Sequence, residues 1–571
     1  MPLRPIDRHA ALEYAKQHPE VPIVIIGGGI NGAGLFRELA LQGVEVLLVD
    51  KSDFCAGASA ASSRMIHGGL RYLEFGEFRL VRESLAERNR LLQNAPHYVR
   101  PLPTVIPVFF WFSGIGAVIR RFFGLRGQRP AHRGVLMVKL GLLFYDLFTG
   151  KGRHMPRHTF MSRQKAHDLC PILPPVIKCA AEYHDAWVSY PERLCLELIQ
   201  EGTAACQNAH ALNYVSLKGM DKGEVLLHDG ISGEDLVVSP KVLVNATGAW
   251  IDFTNTNVGL STKLIGGTKG AHLVLDNQEL FNALGGKMVY YENNDGRVAV
   301  ALPWLGKSLI GSTDIPVGNP DEVECEDSEI AYMFEALREI FPNLNVDRSQ
   351  ILSCFSGVRP LPKSDASATV EVSRDHSSPV IEPTEEIPFP VYSLVGGKWT
   401  TFRGFAESVA DKILPRLDVV RKVSTKNLPI GGGRNFPKTE SEKRTRVDRL
   451  QKETGLAAER LAVLLEHYGT RAKDVAKFLT EEEDAALTHH PGYTRREIQY
   501  IVENEAVCHL EDIVLRRTAM ALLGEVSRPL LEELAQLAGE KLNWTETVCQ
   551  EEVEKSAAFL NKHHRIHIAE N

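Results

Sequence analysis

The segment PIVIIGGGINGAGLFRELALQGVEVLLVD, residues 22–50, decides the fold of this chain. It includes two short apolar runs rich in β-branched residues, one ending at residue 26 and the other covering 44–49, which are typical of strands buried on both faces. Between them, three glycines at GxGxxG spacing precede apolar residues at helical intervals over 35–41. The segment therefore predicts a strand, a glycine turn, a helix and a second strand, as in a Rossmann-like βαβ unit.

The glycine turn, and the acid that ends the second strand, predict a dinucleotide site. Gly27 permits a tight turn, Gly29 lets a pyrophosphate approach the backbone, and Gly32 lets the helix pack closely on the strand. The helix N-terminus offers free N–H groups to the anion. Asp50 lies 23 residues past Gly27, where it can accept hydrogen bonds from a ribose diol. A bare GxGxxG is weak evidence, because glycines also mark ordinary turns, but the complete unit predicts an adenine dinucleotide.

A second buried strand indicates which dinucleotide binds. Residues 242–244 form an apolar run that breaks at 245–248, Asn-Ala-Thr-Gly. Small residues there let the backbone pass close to a flat ligand. FAD enzymes of the two-dinucleotide-binding-domain type carry such an ATG segment, whereas nicotinamide dehydrogenases usually do not. Alone, a strand that ends in Thr-Gly is most often only a strand end, but together with the glycine turn it favours FAD.

The composition is that of an ordinary globular protein, with 44% hydrophobic and 24% charged residues. The 571 residues suggest about three to four domains, and the net charge of −7 argues against a nucleic-acid partner. The nine cysteines show no CxxC spacing, which predicts free thiols in a reducing compartment and no metal site. The N-terminus has no signal-peptide pattern, and no apolar run reaches the roughly 18 residues of a transmembrane helix.

A basic and apolar stretch predicts contact with a membrane surface. Between Arg88 and Tyr145 there is no Asp or Glu, while Lys or Arg occurs nine times. Residues 104–119, TVIPVFFWFSGIGAVI, lie in this stretch and are followed by Arg-Arg-Phe-Phe. Apolar side chains would enter the acyl boundary while cations meet anionic headgroups, so we expect 104–133 to lie on a membrane. The alternative is a core hairpin whose arginines serve an anionic substrate or the surface.

The segment 62–92 combines a second tight backbone passage with candidate substrate ligands. Residues 67–69, His-Gly-Gly, would let the backbone pass against a cofactor, and Arg71 and Tyr72 follow on the next turn. A long amphipathic helix then follows. A surface salt bridge is the plain alternative for Arg71, and His67 alone is more often structural than catalytic.

Further cations lie beside glycines in distant parts of the chain. Arg359 in SGVRPLP and Lys398 in VGGKWTTFR each have Ser or Thr donors close by. A planar guanidinium and a point-charge ammonium near small polar residues suit a phosphate. Lys269 and His272 in LIGGTKGAHLVL add a cation and a histidine before another strand. Together these segments predict a pocket for an anionic substrate.

The chain resembles the FAD-dependent, quinone-linked glycerol-3-phosphate dehydrogenase family. The resemblance covers roughly residues 20–530 and is specific in the order and spacing of its motifs. The matching segments are GGGINGAG (27–34), HGGLRYLE (67–74), FRLVRESLAER (78–88), NATGAW (245–250), KGAHLV (269–274), LIGSTD (309–314), SGVRP (356–360), VSRD (372–375) and GGKWTT (396–401).

The resemblance implies an α/β fold with a Rossmann-like FAD-binding domain of the two-dinucleotide-binding-domain type. An antiparallel-sheet substrate subdomain would be interleaved with it, and an all-helical C-terminal domain would follow. Helical periodicity dominates beyond the loop 427–443, which marks the boundary. The expected division is an oxidoreductase body over 1–425, FAD-binding mainly in 20–103, 180–265 and 350–425 and substrate- or membrane-facing mainly in 104–179 and 266–349, and a helical domain over 426–571.

The resemblance also implies site residues. Those expected to line FAD are Gly27, Gly29, Asn31, Gly32, Asp50, Lys51, Ser62, Ser63, His67, Gly69, Leu70, Thr247, Gly248, Gly397 and Lys398. Those expected to hold the substrate are Arg71, Tyr72, Lys398, Thr400 and Arg374. Catalysis needs a base for the C2 hydroxyl proton and a stabiliser of the developing alkoxide. His67 and His272 are the candidate bases, and Arg359 is the candidate stabiliser.

The reaction implied is oxidation of sn-glycerol 3-phosphate to dihydroxyacetone phosphate, with hydride transfer from C2 to flavin N5 and electrons passed to a membrane quinone. The enzyme would lie in the cytoplasm, attached peripherally to the inner face of the cell membrane. Two departures from the family stand out: 104–133 is longer and more apolar than expected for bacterial members, and 189–193, Ser-Tyr-Pro-Glu-Arg, lacks the usual run of carboxylates. The second departure leaves another polyol phosphate open as substrate.

Two further alternatives remain at this point. One is an oxidase of the same fold that passes electrons to oxygen, and the other is a non-catalytic flavin-binding scaffold. The sequence also leaves the oligomeric state open, with a homodimer as one alternative.

Overall fold

The computed structural model describes residues 4–113, 133–149, 155–293, 295–364 and 374–568. Most of the predicted membrane segment 104–133, from residue 114 to 132, lies outside the described residues. The α-helices are Arg8–Gln17, Ile30–Ala40, Phe78–Asn94, Val135–Thr149, Arg163–Leu169, Pro191–Ala205, Ile251–Asn257, Gln278–Leu284, Asp327–Ile340, Phe402–Ile413, Glu440–Thr454, Ala458–Tyr468, Ala472–Leu479, Arg495–Asn504, Arg528–Leu542 and Glu546–His564.

A parallel sheet forms around the segment that contains the glycine turn. Its central strand, Ile23–Ile26, is buried at every position, as the continuous apolar run predicts. Pairing is parallel throughout except for the antiparallel edge strand Val380–Ile381. The strand order across this sheet is Val380–Ile381, Val391–Ser393, Val242–Asn245, Ile23–Ile26, Val46–Val49 and Ala209–Leu212. The glycine turn, Asp50 and the Ala-Thr-Gly segment therefore lie at one edge of the sheet.

A larger mixed sheet lies beside the parallel one and confirms the predicted antiparallel substrate sheet. Only the pairing of Met288–Glu292 with Val99–Val108 is parallel; the other described pairs in this sheet are antiparallel. Its path is Ile315–Pro316, Thr268–Leu275, Lys307–Gly311, Val298–Trp304, Met288–Glu292, Val99–Val108, Cys179–Val188 and Met65–Ile66, with Ile351–Arg359 paired to Thr268–Leu275 and Thr159–Ser162 to Cys179–Val188. Strands outside the predicted substrate-facing range 104–179, both before and after it, also belong to this sheet. The chain crosses repeatedly between the two sheets.

The remaining elements are a small sheet and the helical C-terminal region. The small antiparallel sheet consists of Val215–Asp221, Glu224–Asp229 and Asp235–Val238. Within the described ranges, no helix combines the length and apolar character needed to cross a membrane. The nine cysteines are free thiols in the structure.

Buried ion pairs join the C-terminal helices to the body. A π-helix over Asp512–Arg517 presents Arg516 and Arg517 to the buried carboxylate of Asp53, and Arg517 Nη1 lies 2.5 Å from Asp53 Oδ2. Burial raises the pKa of Asp53, but the charges of the two arginines outweigh it and hold that pKa below its usual value. Arg516 and Arg517 therefore attach the C-terminal helices to the body through ion pairs.

Candidate active site

A cavity of about 990 Å³ lies where the two sheets meet. The ends of three adjacent parallel strands line one side, through Gly27, Asp50 and Thr247. The strands Thr268–Leu275 and Ile351–Arg359 of the mixed sheet line the other side. Ligands of open α/β sheets bind at this kind of crevice beyond the carboxyl ends of the strands.

The glycine turn forms a backbone cradle at one end of the cavity. Gly27 has φ +109°, and a Cβ there would lie 2.6 Å from the carbonyl oxygen of Ala246, which directly follows the neighbouring strand. A Cβ at Gly32 would lie 1.8 Å from the carbonyl oxygen of Gly27, so only glycine lets the helix approach the strand this closely. Gly29 caps the helix Ile30–Ala40 without a side-chain hydrogen bond. The cradle therefore presents main-chain N–H groups at a helix N-terminus, which fits a dinucleotide pyrophosphate.

Two polar side chains complete this end of the cavity. Asn31 donates from Nδ2 to the carbonyl of Gly396 at 3.1 Å, while its Oδ1 is buried with no partner among the described residues. Asp50 accepts the N–H groups of Gly28 at 2.6 Å and Ser52 at 2.9 Å. Burial raises the pKa of Asp50 to about 6 in spite of these hydrogen bonds. An unsatisfied amide oxygen and a carboxylate at the cavity wall are the acceptors that a ribose or a ring N–H would use.

Most of the residues predicted to line the cofactor reach this cavity. They are Gly27, Gly29, Asn31, Asp50, Lys51, Ser62, Ser63, His67, Thr247, Gly248, Gly397 and Lys398. Gly32, Gly69 and Leu70 lie behind the wall. Gly69 makes room for the ring of Tyr72, since a Cβ there would lie 2.1 Å from Tyr72 Cδ2. Lys51 reaches the wall but pairs with Asp321 at 2.6 Å and lies over the ring of Trp250.

Three cations converge at the other end of the cavity. Lys398, Arg374 and Arg359 all line it. Burial, followed by the charge of Arg374, lowers the pKa of Lys398 to about 7 and that of Arg359 to about 10. Arg374 has no hydrogen-bond or ion-pair partner among the described residues. Mutually repelling cations around a cavity form a site with an affinity for anions.

Neighbouring side chains fix two of these cations. Lys398 donates to Ser84 Oγ at 2.9 Å, and its Nζ lies 4.2 Å above the ring of Tyr72. Arg359 donates to Ser312 Oγ at 2.9 Å and pairs with Asp314 at 3.2 Å. The guanidinium lies across the main chain of Gly270, where a Cβ would lie 2.1 Å from Arg359 Nη2.

Both candidate bases are neutral; His272 is buried, and His67 is half-buried at the cavity wall. His272 Nε2 lies 2.8 Å from Ser63 Oγ, and its ring stacks on Phe355 at 5.2 Å between centroids. Its Nδ1 is buried and has no hydrogen-bond partner in the described part of the chain. Burial lowers the pKa of His272 to about 3, and burial with the charges of Lys398 and Arg374 lowers that of His67 to about 3. Each ring is therefore uncharged at neutral pH and can accept a proton.

The structure places the other predicted substrate ligands differently. Thr400 lines the cavity, but its Oγ1 accepts the main-chain N–H of His67 at 3.1 Å. Tyr72 and Arg71 lie on a 3₁₀ helix, Leu70–Phe75, and neither is a lining residue. The Tyr72 ring instead lies under Lys398 Nζ, so Tyr72 contributes to the site by holding that cation in place.

Several residues that support the site had no local signal of their own. Ser84, Ser312 and Asp314 fix the cations, although they fall within the motifs at 78–88 and 309–314. Their contacts with the cations depend on the tertiary fold, so the sequence alone does not predict them. The buried pair of Arg64 with Glu192, 2.9 Å apart, was also missed; Glu192 lines the cavity.

The fold also assembles a group that sequence spacing could not detect. Glu83, Asp375 and His376 place possible metal-ligand atoms within 4.8 Å of one another. The sequence predicted no metal site because no ligands lie at metal-binding spacing. Arg79 makes ion pairs with both carboxylates, so a protein cation already offsets part of the charge of this group.

Comparison with known proteins defines the class of enzyme. Residues 22–411 match the family described as FAD dependent oxidoreductase, and residues 423–549 match the C-terminal domain of alpha-glycerophosphate oxidase. The protein is therefore an FAD-dependent oxidoreductase, and the glycine cradle is the part of the cavity that fits FAD.

Full-length relatives define the family. A glycerol-3-phosphate dehydrogenase from Synechocystis is 32% identical over 576 residues, covering 96% of this chain and 97% of the relative. The D-erythritol 1-phosphate dehydrogenase of Brucella abortus is 30% identical over 505 residues, covering 87% and 93%. The chain belongs to the FAD-dependent glycerol-3-phosphate dehydrogenase family. The structure of the Bacillus halodurans glycerol-3-phosphate dehydrogenase with FAD shares the fold, with a TM-score of 0.73 at 22% identity and 98% coverage of both chains.

Proposed function

We propose that the protein oxidises sn-glycerol 3-phosphate to dihydroxyacetone phosphate, with a membrane quinone as electron acceptor, at the inner face of the cell membrane. The observation that carries this proposal is the convergence of Lys398, Arg374 and Arg359 beside two neutral histidines. A phosphate monoester carries about −1.5 to −2 charges at neutral pH, which offsets the repulsion among these cations. A small polyol then extends from the phosphate toward the histidines.

The protein residues divide the work of the reaction by position. Lys398 and Arg374 hold the phosphate, and Arg359 stabilises the oxygen at C2 as negative charge develops. One of His67 and His272 accepts the C2 hydroxyl proton. A bound phosphate offsets the cations that lower the pKa of His67, so His67 becomes a stronger base in the complex. FAD, when bound, supplies the acceptor for the hydride that leaves C2.

The stretch 189–193 gives little support to a different substrate. Among its residues, Glu192 lines the cavity, and Arg64 binds its carboxylate. Tyr190 packs instead against Tyr98 and against His467 of the C-terminal helices. The departure from the family pattern therefore concerns domain packing more than the cavity wall, which favours glycerol 3-phosphate over a longer polyol phosphate.

An anaerobic titration of the holoenzyme tests the proposal. We expect sn-glycerol 3-phosphate to bleach the flavin rapidly, with colour restored quickly by a soluble quinone and slowly by air. Rapid recovery in air would identify an oxidase instead. Bleaching by erythritol phosphate alone would change the substrate, and no bleaching by either compound would support the flavin-binding scaffold.

The outer face of the helix Val135–Thr149 supports the proposed membrane contact. Its inner residues Val138, Leu142 and Tyr145 are buried, so the helix is apolar on both sides. Its exposed apolar side chains are Leu136, Leu140, Leu143, Phe144 and Leu147. Trp111 and Phe112, which follow the strand Val99–Val108, are 53% and 75% exposed. A surface helix with an apolar outer face fits the acyl boundary of a bilayer, so the proposed membrane face extends beyond 104–133 to residue 147.

Replacement of three exposed leucines tests the membrane face. The variant Leu140→Ser/Leu143→Ser/Leu147→Ser should bind anionic phospholipid vesicles at least about 100-fold more weakly in sedimentation, since three leucines at roughly 1–2 kcal/mol each contribute roughly 3–6 kcal/mol. The matched control replaces three exposed aliphatic residues elsewhere, Ile231, Val380 and Val420, with serine. Equal vesicle binding by the two variants would exclude this helix as the membrane face.

A further inference from the structure

We propose that Tyr145 is a positioning residue for the active-site turn formed by residues 67–69. Tyr145 lies on the inner face of the helix Val135–Thr149 and does not line the cavity. The inference rests on the proposed function, because the turn matters for catalysis only if His67, which belongs to it, is the base.

Tyr145 takes part in a buried hydrogen-bond network centred on Gly68. Its hydroxyl accepts the main-chain N–H of Gly68 at 3.0 Å and donates to Asp185 Oδ1 at 2.5 Å. Asp185 Oδ1 also accepts the Gly68 N–H at 3.0 Å. Arg88 Nη1 donates to the hydroxyl at 3.2 Å and to the carboxylate at 3.0 Å. Each side chain in the network is at most 3% exposed, so water does not replace these bonds.

The charges in the network set the direction of its hydrogen bonds. Burial raises the pKa of Tyr145 well above its usual value, so its hydroxyl keeps its proton. Burial also raises the pKa of Asp185, and the Arg88 charge and the Tyr145 hydrogen bond lower it in part. The hydroxyl therefore donates to the carboxylate, and its lone pairs are left to accept from Gly68 and Arg88. Fully satisfied buried networks of this kind fix a single geometry.

The network leaves the backbone around His67 little freedom. The N–H of His67 itself donates to Thr400 Oγ1 at 3.1 Å, and the next N–H along the chain is the one bound by Tyr145 and Asp185. The peptide groups on both sides of the His67 Cα are therefore fixed. A Cβ at Gly68 would lie 2.5 Å from the Tyr145 hydroxyl, so the turn and the hydroxyl are in close contact. We infer that the hydroxyl sets how far the His67 ring reaches into the cavity.

The variant Tyr145→Phe tests this role in the holoenzyme. The rate constant of flavin reduction at saturating sn-glycerol 3-phosphate should fall about tenfold, because a small displacement of a reacting group has a large kinetic effect. The substrate dissociation constant from the same titration should stay within about twofold, since the main phosphate cations, Lys398 and Arg374, lie in other segments. A merely structural role would not separate the two constants in this way.

Tyr183→Phe is the matched control. Tyr183 belongs to the same apolar cluster, its ring meets that of Tyr145 at 5.6 Å, and its hydroxyl makes no hydrogen bond among the described residues. We expect wild-type reduction kinetics for this variant. Equal reduction rates for the two variants would overturn the proposal, as would a Tyr145→Phe rate loss matched by proportional losses of FAD content and melting temperature.

A second variant covers the case in which Tyr145→Phe does not fold. Asp185→Asn keeps the volume but removes the charge that orients the hydroxyl, and it should slow reduction with little change in substrate affinity. A wild-type rate in this variant would also overturn the role of the network. Failure of the proposed function has a different signature, because wild-type flavin would then not be bleached by sn-glycerol 3-phosphate at all.

Discussion

The two ends of the cavity are built on opposite principles. The cofactor end is made of backbone: Gly27 and Gly32 bring a strand and a helix into contact, and the charge of Lys51 is already paired. The substrate end is made of long cationic side chains, among them Lys398 and Arg374, brought together from different segments. The cofactor end is crowded and carries one carboxylate, Asp50, whereas the substrate end holds an excess of positive charge.

This difference predicts how each end responds to change. At the cofactor end an added methyl group has nowhere to go, because the nearest atoms belong to the main chain. At the substrate end the neighbours are side-chain tips, so volume matters less than charge. Burial and then the Arg374 charge lower the pKa of Lys398, and a phosphate bound there, as proposed, would offset the part that comes from the Arg374 charge.

The largest expected effect is steric and lies at the cofactor end. In Gly32→Ala the new Cβ would lie 1.8 Å from the Gly27 carbonyl, so we expect about 1–3 kcal/mol of destabilisation in urea unfolding and an almost complete loss of FAD. Gly318→Ala is the control, because nothing lies within 4 Å of its added Cβ. If Gly32→Ala retained its FAD, the backbone cradle would not be the cofactor site.

Much of the cofactor end could be predicted from sequence because its signal is local. The strand, the glycine turn and the acid all fall within 22–50, and the predicted FAD cofactor and fold class are confirmed by the family comparison. The role of Gly32 in packing rather than lining also agrees with its place in the spacing pattern.

The substrate end could be predicted only in part because its contacts join distant segments. The sequence shows the cations beside glycines. It does not show that the Tyr72 ring lies under Lys398 or that Lys398 donates a hydrogen bond to Ser84. Tyr145 lies in an apolar run and has no motif, yet it bonds a residue 77 positions earlier. Periodicity places a residue on a face, whereas such long-range polar contacts depend on how the elements pack.

The pH dependence of kcat/KM tests whether charge controls the substrate end of the cavity. Burial and the Arg374 charge lower the pKa of Lys398 to about 7, so the cation is present below that pH and lost above it. We expect kcat/KM to fall about tenfold per pH unit above pH 7, since this ratio reports the free enzyme. Lys398→Arg should abolish that fall, because a guanidinium keeps its charge.

A variant that removes the Lys398 charge measures how much this charge contributes to kcat/KM. Lys398→Gln should lower kcat/KM about 100-fold below pH 7, the value of a hydrogen bond to a charged group, and should flatten the profile above it. Lys363→Gln, an exposed lysine beyond the cavity wall, should leave the profile unchanged. An unaltered profile in Lys398→Gln would show that Lys398 does not bind the phosphate.

The smallest expected effect is a charge effect at the cofactor end. Burial raises the pKa of Asp50 to about 6, so its carboxylate is present above that pH and becomes protonated below it. The FAD dissociation constant of the apoprotein, measured by flavin fluorescence, should therefore rise up to about tenfold as the pH falls from 7 to 5, the value of about one hydrogen bond. Asp50→Asn should bind FAD with the weaker affinity at every pH in this range.

Asp321→Asn is the matched control for that titration. Asp321 also lines the cavity, but its hydrogen bonds from Lys51 and Trp250 outweigh burial and lower the pKa of its carboxyl, so it stays charged across this range. Its variant should keep the wild-type pH dependence. A pH-dependent FAD affinity that survived in Asp50→Asn would assign the titration to another group. A change in wild-type affinity much larger than tenfold would show that the cofactor end depends on charge as strongly as the substrate end does.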